Sequence, residues 1–321
     1  MAYTMADFQQ LATDPLKKAV INTWRKNSLV MDLLPWTPSD GLSIKYVRTL
    51  GLPSPAWRKI GAAFADKQAT TEPVEEQIYL IGAKIDIPKE YVKAKTVVDQ
   101  RKFQSLAITQ SIALGFNDAF INGSPADVDS IVGLWYRLVN DLDAAQTVDA
   151  GNIDISPDAT TLSVQQTTLL NKIDELMDQF DDGSCDVLFM NDVMKRRLVA
   201  ALRAVGGLDT GQDAFGRKFM NYGVGGPRIV DIGRKYDQST RIIGNVENVN
   251  GAVLTGGAAT SIYGVKFGEP YLAGFFLDDL LVDDVGLIEA RTHYRTVIDW
   301  SPGIYLVSPR SVGRIHGIVA A

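Results

Sequence analysis

Few residues in this sequence have a spacing that could support chemistry. Asp209-Thr210-Gly211 is the tripeptide that carries the catalytic aspartate of aspartic proteases. Those enzymes need two carboxylates sharing a proton, so a single copy requires a homodimer and an apolar strand to position the aspartate. Gly206-Gly207 precede it instead, which reads as a Gly/Asp-rich loop. "GQDAFGRKF" offers Gly211, Gly216 and Lys218 to a phosphate, but the working motif is GxxxxGK followed by Ser or Thr. Arg217 sits where that lysine belongs and Phe219 follows Lys218 where a hydroxyl is needed. "GVGGP" lacks the third glycine of a dinucleotide fingerprint.

His293 and His316 are the only histidines, which excludes a three-His zinc site and leaves few general bases near neutral pH. No GxSxG or HExxH motif occurs. Asp278, Asp279, Asp283 and Asp284 form an oxygen-rich cluster suited to calcium. Their spacing fits no EF-hand loop, so they read as solvated turns, with an adventitious cation as the alternative. Lys195, Arg196 and Arg197 read as the exposed side of a helix, with a phosphate or an acidic partner as the alternative. Cys185 is the only cysteine, so the chain has no intrachain disulfide and suits a reducing compartment. These residues give no catalytic, metal or cofactor constellation. A hydrolase acting through Asp209 or His293 is what remains of an enzymatic reading.

The elements that would position such residues are more informative. The chain of 321 residues is long enough to bury roughly 75% of its unfolded surface. With 46% apolar and 22% charged residues, it is expected to fold. A net charge of −6 without a basic run lacks the footprint of a dedicated nucleic-acid binder. No window approaches the length of a membrane span, and the N-terminus lacks the apolar core of a signal peptide.

Thr13-Asp14-Pro15 starts an amphipathic helix that carries Leu16, Val20, Trp24 and Leu29 and stops at Pro35. From Ser43 the period changes to that of strands in "SIKYVRTL" and "EQIYLIGAKIDIP", the second aligning Tyr79, Ile81, Ala83, Ile85 and Ile87. The polar stretch between them predicts the tip of a long projecting hairpin. A helix from about Val98 to Asn122 has no charge between Lys102 and Asp118. Its apolar side chains, Leu106, Ile108, Ile112, Ala113, Phe116 and Phe120, imply cover over a wide arc. Asn122-Gly123 ends it through tolerance of the left-handed conformation. "LSVQQTTLLNKIDELMDQF", "CDVLFMN" and "DVMKRRLVAALRAVGG" read as helix, buried strand and capped helix. Later segments, "RIVDIG", "TRIIG", "GAVLTG", "SIYGVKFG" and the C-terminal run from His293, read as mostly β. The class is α+β.

The order of these parts, with "ALGFNDAFINGSPADVDSIVGL" at its centre, resembles the major capsid proteins of tailed bacteriophages. Their Hong Kong 97-type fold is also used by encapsulin shells. In that family the spine helix often ends in a segment like D-x-x-F-x-N-G and then a G-I/L turn. Asp118, Phe120 or Ile121, Asn122, Gly123, Gly133 and Leu134 match those places. "LLNKIDELMDQF" through "DVMKRRLVAAL" and the C-terminal "VDDVG" and "HYRTVIDWSPGIYLVSPRSVGRIHGI" extend the resemblance over nearly the whole chain.

The resemblance implies an N-terminal arm at residues 1–42, an extended hairpin (E-loop) at 43–87, a peripheral domain with the spine helix at 88–148 and 268–305, and an axial domain at 149–267 and 306–321. It implies a non-enzymatic subunit without cofactor that forms hexamers and pentamers and then an icosahedral shell. That shell would form in the bacterial host cytoplasm and enclose double-stranded DNA, touching it nonspecifically. The hairpin tip, with Trp57, Arg58, Lys59, Phe64 and Lys67, and the arm, with Leu16, Val20 and Trp24, are expected to lie on neighbouring subunits. Further partners implied are a portal and a decoration protein and, since no large N-terminal extension precedes the arm, either a separate scaffolding protein or none. An encapsulin-like compartment is the alternative; the long hairpin and the chain length argue against it. Lys59 and Lys67 are possible lysines for the covalent crosslink found in some members, with no acceptor identified.

Overall fold

The computed structural model describes residues 2–320 apart from 65, 94–99, 128, 143, 158, 160–161, 213–215 and 217. Arg217 and the expected helix start at Val98 lie outside the described residues.

At the N-terminus α1 (Met5–Leu11) opens with a capping box in which Thr4 and Asp7 exchange hydrogen bonds. α2 (Pro15–Asn27) begins where the sequence implies, with Asp14 accepting from the Leu16 N–H and Pro15 in the first turn. The helix expected to reach Pro35 breaks at Ser28, whose hydroxyl caps Met31 and starts α3 (Leu29–Leu33). β1 (Trp36–Pro38) follows. These elements fold back on the body. Val20, Ile21, Trp24, Met31, Leu34 and Trp36 all enter the main core, and the Trp24 indole donates to the Thr109 carbonyl at 3.0 Å. The expectation of an arm reaching a neighbour is corrected to this extent: Val20 and Trp24 bury their apolar surface within their own chain, and only Leu16 stays exposed.

β2 (Ser43–Gly51) and β3 (Thr70–Gln77) form an antiparallel ribbon with Ser43 opposite Gln77. β4 (Ile81–Pro88) is not part of it, so the hairpin spans 43–77 rather than 43–87. "TTEPVEEQ" lacks an apolar face because most of β3 is exposed to solvent. Ile85 and Ile87 are apolar because β4 has a core to face. α4 (Lys89–Lys93) leads toward α5 (Gln100–Asn122), the spine helix. Its exit passes α6 (Leu134–Tyr136).

The second body contains β5 (Thr147–Asp154), α7 (Leu162–Asp178), β6 (Val187–Met190) and α8 (Asp192–Val205). Asn191 caps α8 through the Met194 N–H, and Gly206, in the left-handed conformation at φ 71, stops it. The Gly-rich stretch is a hairpin of β7 (Leu208–Gln212) and β8 (Lys218–Tyr222), followed by β9 (Arg228–Asp231). "TRIIG" and "GAVLTG", expected as strands, lie in an irregular excursion between β9 and β10 (Thr260–Val265). Their glycines and Asn-rich surroundings favour turns. The chain returns through β11 (Leu272–Phe276), β12 (Leu281–Leu287), β13 (His293–Trp300), β14 (Pro302–Leu306) and β15 (Val312–Val319).

Among the described residues the strands order as β5-β15-β10-β6-β9-β8-β7, β12-β13-β4, β1-β11-β14 and β2-β3. β6 explains why "VLFM" is apolar throughout. Val187 and Phe189 face the main core with the spine helix, while Leu188 and Met190 face a second core under α7 and α8. A strand covered on both sides reads as a continuous apolar run.

Candidate assembly surfaces

The spine helix packs into the main core, and at its exit two stretches of backbone approach closely. Ile112, Phe116 and Phe120 are buried in the main core. Phe116 lies 6.3 Å from the Trp300 ring, and Phe120 meets Phe189 edge-on at 6.0 Å. The wide apolar arc is covered only over the C-terminal half, because Phe103 and Leu106 stay exposed. At the exit neither Asn122 nor Gly123 has a positive φ, which corrects the left-handed explanation. The glycines permit close backbone approach instead. Gly133 N–H donates to the Gly123 carbonyl at 2.9 Å. A Cβ on Gly123 would stand 2.0 Å from the Ile131 carbonyl oxygen, and one on Gly133 would stand 2.5 Å from Gly123 N. Asn122 donates to Asp118 at 2.7 Å and to the Ile242 carbonyl at 2.9 Å. The helix end is thereby tied to the excursion after β9. Leu134 is buried as the first residue of α6.

The hairpin tip, residues 52–69, carries large apolar side chains into solvent. Trp57 is 101% and Ile60 107% exposed, and Phe64 is also exposed. Arg58 stacks over Phe64, 4.8 Å from the ring centroid, and donates to the Ala62 carbonyl at 2.8 Å. Lys67 donates to the Ser54 hydroxyl at 2.8 Å, and Lys59 is exposed. The structure brings these five expected tip residues into one exposed loop, and the subunit itself leaves Trp57 uncovered.

The base of the hairpin is fastened by charges that sequence reading missed. Arg137, in the turn after α6, donates to Glu76 of β3 at 2.5 Å with both side chains largely buried. Its Nε donates to the Val132 carbonyl at 3.1 Å. Tyr46 of β2 accepts from the Leu306 N–H at 3.2 Å. Burial, then the Glu76 charge, pushes its phenol above the ordinary value. Arg48 is buried and lies 3.7 Å from Glu72. A second internal pair, Arg314 with Glu247 at 2.9 Å, pins the 232–259 excursion to β15. Arg314 also donates to the Gly251 carbonyl at 2.9 Å and stacks on Tyr263. Such pairs join residues far apart in sequence and leave no local motif.

The chemical candidates are scattered. Asp209 sits on the edge strand β7, its carboxylate accepting from the Thr210 N–H at 2.8 Å. His293 begins β13 in a different sheet and contacts the Thr292 hydroxyl at 2.8 Å. The two are not brought together, and His316 is occupied by the Val249 carbonyl at 3.1 Å. Of the acidic cluster, Asp279 pairs with Lys17 at 3.1 Å and Asp284 pairs with Arg101. Among the described residues no group of acids, histidines or cysteines is placed to hold a metal. Cys185 is buried, and burial together with Asp186 pushes its thiol up to about 12.

No protein-family model and no curated protein matches the chain. Solved structures do. The holo SrpI encapsulin complex of Synechococcus elongatus aligns with a TM-score of 0.62 over 100% of this chain and 98% of that one, at 13% identity. Mycobacterium phage Bobi gives 0.59 over 90% of each chain at 12% identity. A virus-like particle from Pyrococcus furiosus gives 0.52 over 94% of this chain and 97% of that one, at 10% identity. The chain has the Hong Kong 97-type capsid fold. The full-length encapsulin alignment also removes chain length as an argument against an encapsulin-like shell.

Proposed function

We propose that the chain is the major capsid protein of a tailed bacteriophage, a non-enzymatic subunit that assembles into hexamers and pentamers and then a shell around double-stranded DNA. The observation that carries the assembly reading is the hairpin tip. Trp57 and Ile60 gain nothing from projecting into water, and covering them on a second copy removes that apolar surface from solvent. A fastened base and a projecting tip make a lever suited to reaching a neighbour. Portal, scaffolding and decoration proteins are candidate partners on this reading.

A second reading is a compartment shell around protein cargo. It is favoured by the whole-length likeness to an encapsulin and by N-terminal helices that are spent on the subunit's own core.

Size-exclusion chromatography with electron microscopy of the purified chain tests the shared part. Rings, shells or tubes are expected, and a monodisperse monomer under several assembly conditions refutes both readings. The contents of shells made in their natural host then separate the two: encapsidated DNA supports the phage reading, and a packaged enzyme overturns it. Deleting residues 53–68 is expected to leave a folded subunit that does not close shells, and normal shells from this variant would remove the tip from assembly.

A further inference from the structure

We infer that the recess between the end of α2, the start of α8 and strands β8 and β9 is an anion site for a phosphate group. Arg25, Lys26, Lys195, Lys218 and Arg228 line one cavity of about 230 Å³, together with the carboxylate of Asp231. Four separate elements deliver these cations to one hollow, in a chain whose net charge is −6.

Part of this charge has a structural role. Arg25 is paired with Asp32 at 2.5 Å, and basic residues in the last turn of α2 suit the negative end of its dipole. That account does not extend to Lys195 and Lys218. Lys195 lies near the N-terminus of α8, where the helix dipole disfavours a cation. Asp192, the acid of that turn, is engaged by Arg241. Among the described residues, the side-chain ammonium groups of Lys195 and Lys218 have no hydrogen bond or ion pair. Arg228 lies over the Phe219 ring, its guanidinium carbon 4.1 Å from the ring centroid.

The neutral wall also offers a donor. Ser28 accepts from the Met31 N–H at 3.1 Å, so its own proton goes to Asn117 Oδ1 at 2.5 Å. That hydrogen bond turns Asn117 Oδ1 toward Ser28, so the NH₂ is the polar group this residue has left to offer the cavity it lines. Asn117 is only 2% exposed. Convergent ammonium, guanidinium and amide donors in a hollow of this size suit a compact, multiply charged oxyanion, and planar Arg together with Lys is the usual set for phosphate. Lys195 and Lys218 thereby acquire a shared role that neither the "KRR" run nor the failed phosphate-loop motif disclosed.

The phosphate belongs either to a polynucleotide backbone or to a free small molecule. The site is complete within one subunit and stands apart from the shell reading. Its test is titration of the purified chain with inorganic pyrophosphate, comparing the parent with a Lys195→Gln/Lys218→Gln variant of unchanged unfolding midpoint. The variant is expected to bind at least about tenfold more weakly, the scale of one lost charge-assisted hydrogen bond. A Lys45→Gln/Lys172→Gln control, with the same charge change elsewhere, is expected to bind like the parent.

Absence of pyrophosphate binding, equal binding by the Lys195/Lys218 variant, or equal weakening in the control overturns the site. Tighter binding of a polyglutamate peptide than of pyrophosphate assigns the recess to an acidic protein segment and overturns it too. A short DNA duplex separates the two sources. A log-affinity against log-salt slope about two units shallower in the variant assigns the phosphate to a polynucleotide. Pyrophosphate binding with an unchanged duplex slope assigns it to a free phosphate. Electron microscopy of the variant reports separately on assembly.

Discussion

Gly133→Ala is the sharpest test of the spine-helix exit, because what its new methyl would strike is backbone. The Cβ would stand 2.5 Å from Gly123 N, 2.7 Å from the Ile121 oxygen and 2.8 Å from the Ala119 oxygen. None of these atoms can rotate aside. Relief requires the two segments to separate, stretching the Gly133 to Gly123 hydrogen bond of 2.9 Å. Overpacking of this kind costs about 1–3 kcal/mol, and the strained hydrogen bond adds about 1 kcal/mol, giving a loss of about 2–4 kcal/mol. Gly115→Ala is the internal control. It lies within the same helix with nothing within 4 Å of the added methyl, so helix propensity alone predicts a gain of about 0.5–1 kcal/mol.

The assay is urea unfolding of the dissociated subunit followed by tryptophan fluorescence, which Trp24, Trp36 and Trp300 report from the main core. The two alanines are expected to move the midpoint in opposite directions. A Gly133→Ala midpoint within error of the parent, or a Gly115→Ala loss as large as that of Gly133→Ala, would refute the close-approach account.

Glu247→Ala leaves Arg314 buried without its carboxylate and is expected to cost about 3–5 kcal/mol in the same assay; a loss below about 1 kcal/mol contradicts it. Cys185, with its thiol raised to about 12 by burial and Asp186, is expected to resist iodoacetamide at pH 8 until the chain unfolds. Native alkylation at the unfolded rate would exclude a sealed thiol. Asp86 is held down to about 2, chiefly by its hydrogen bond from Arg295. Its folded value lies below its ordinary one, so the contribution of this pair is present above about pH 4 and is lost as pH falls through about 2. An NMR titration midpoint for the Asp86 carboxyl near 4 rather than 2 would disprove the pairing in solution.

Elements set by local rules were legible in the sequence. Asp14-Pro15 and Asn191 mark helix starts because a cap needs only its own first turn. "VLFM" marks a strand covered on both faces. Elements whose partners lie far away were not legible. "TTEPVEEQ" is a strand because β2 supplies its ladder, with no apolar pattern to announce it. "TRIIG" has strand-like residues but makes only an isolated bridge, Arg241 with Arg234, and its place is set by contacts such as Asn122 with the Ile242 carbonyl. Gly123 and Gly133 were legible as landmarks, while the reason for them, contact between two backbones, required three dimensions. The tip residues could be placed on one loop from spacing alone; the Glu76–Arg137 pair at its base could not, since nothing links residues 76 and 137 before folding.

The two buried pairs, Glu76 with Arg137 and Glu247 with Arg314, fasten a projecting ribbon and an irregular excursion to a body that has a core. Replacing such a pair by matched apolar residues is often neutral for stability, whereas removing one partner is costly. What the pair adds is direction, because its hydrogen bonds admit one geometry where apolar contact admits several. For the hairpin, direction decides where Trp57 arrives, since a small rotation at the base is magnified along the ribbon. Glu76→Leu/Arg137→Met is therefore expected to keep the unfolding free energy within about 1 kcal/mol while producing irregular assemblies by electron microscopy. Glu76→Ala alone is expected to lose about 3–5 kcal/mol. If the double variant instead builds particles as uniform as the parent's, the orientation of the hairpin is set by β2 and β3 packing against the body, and the charged base is only one of several equivalent anchors.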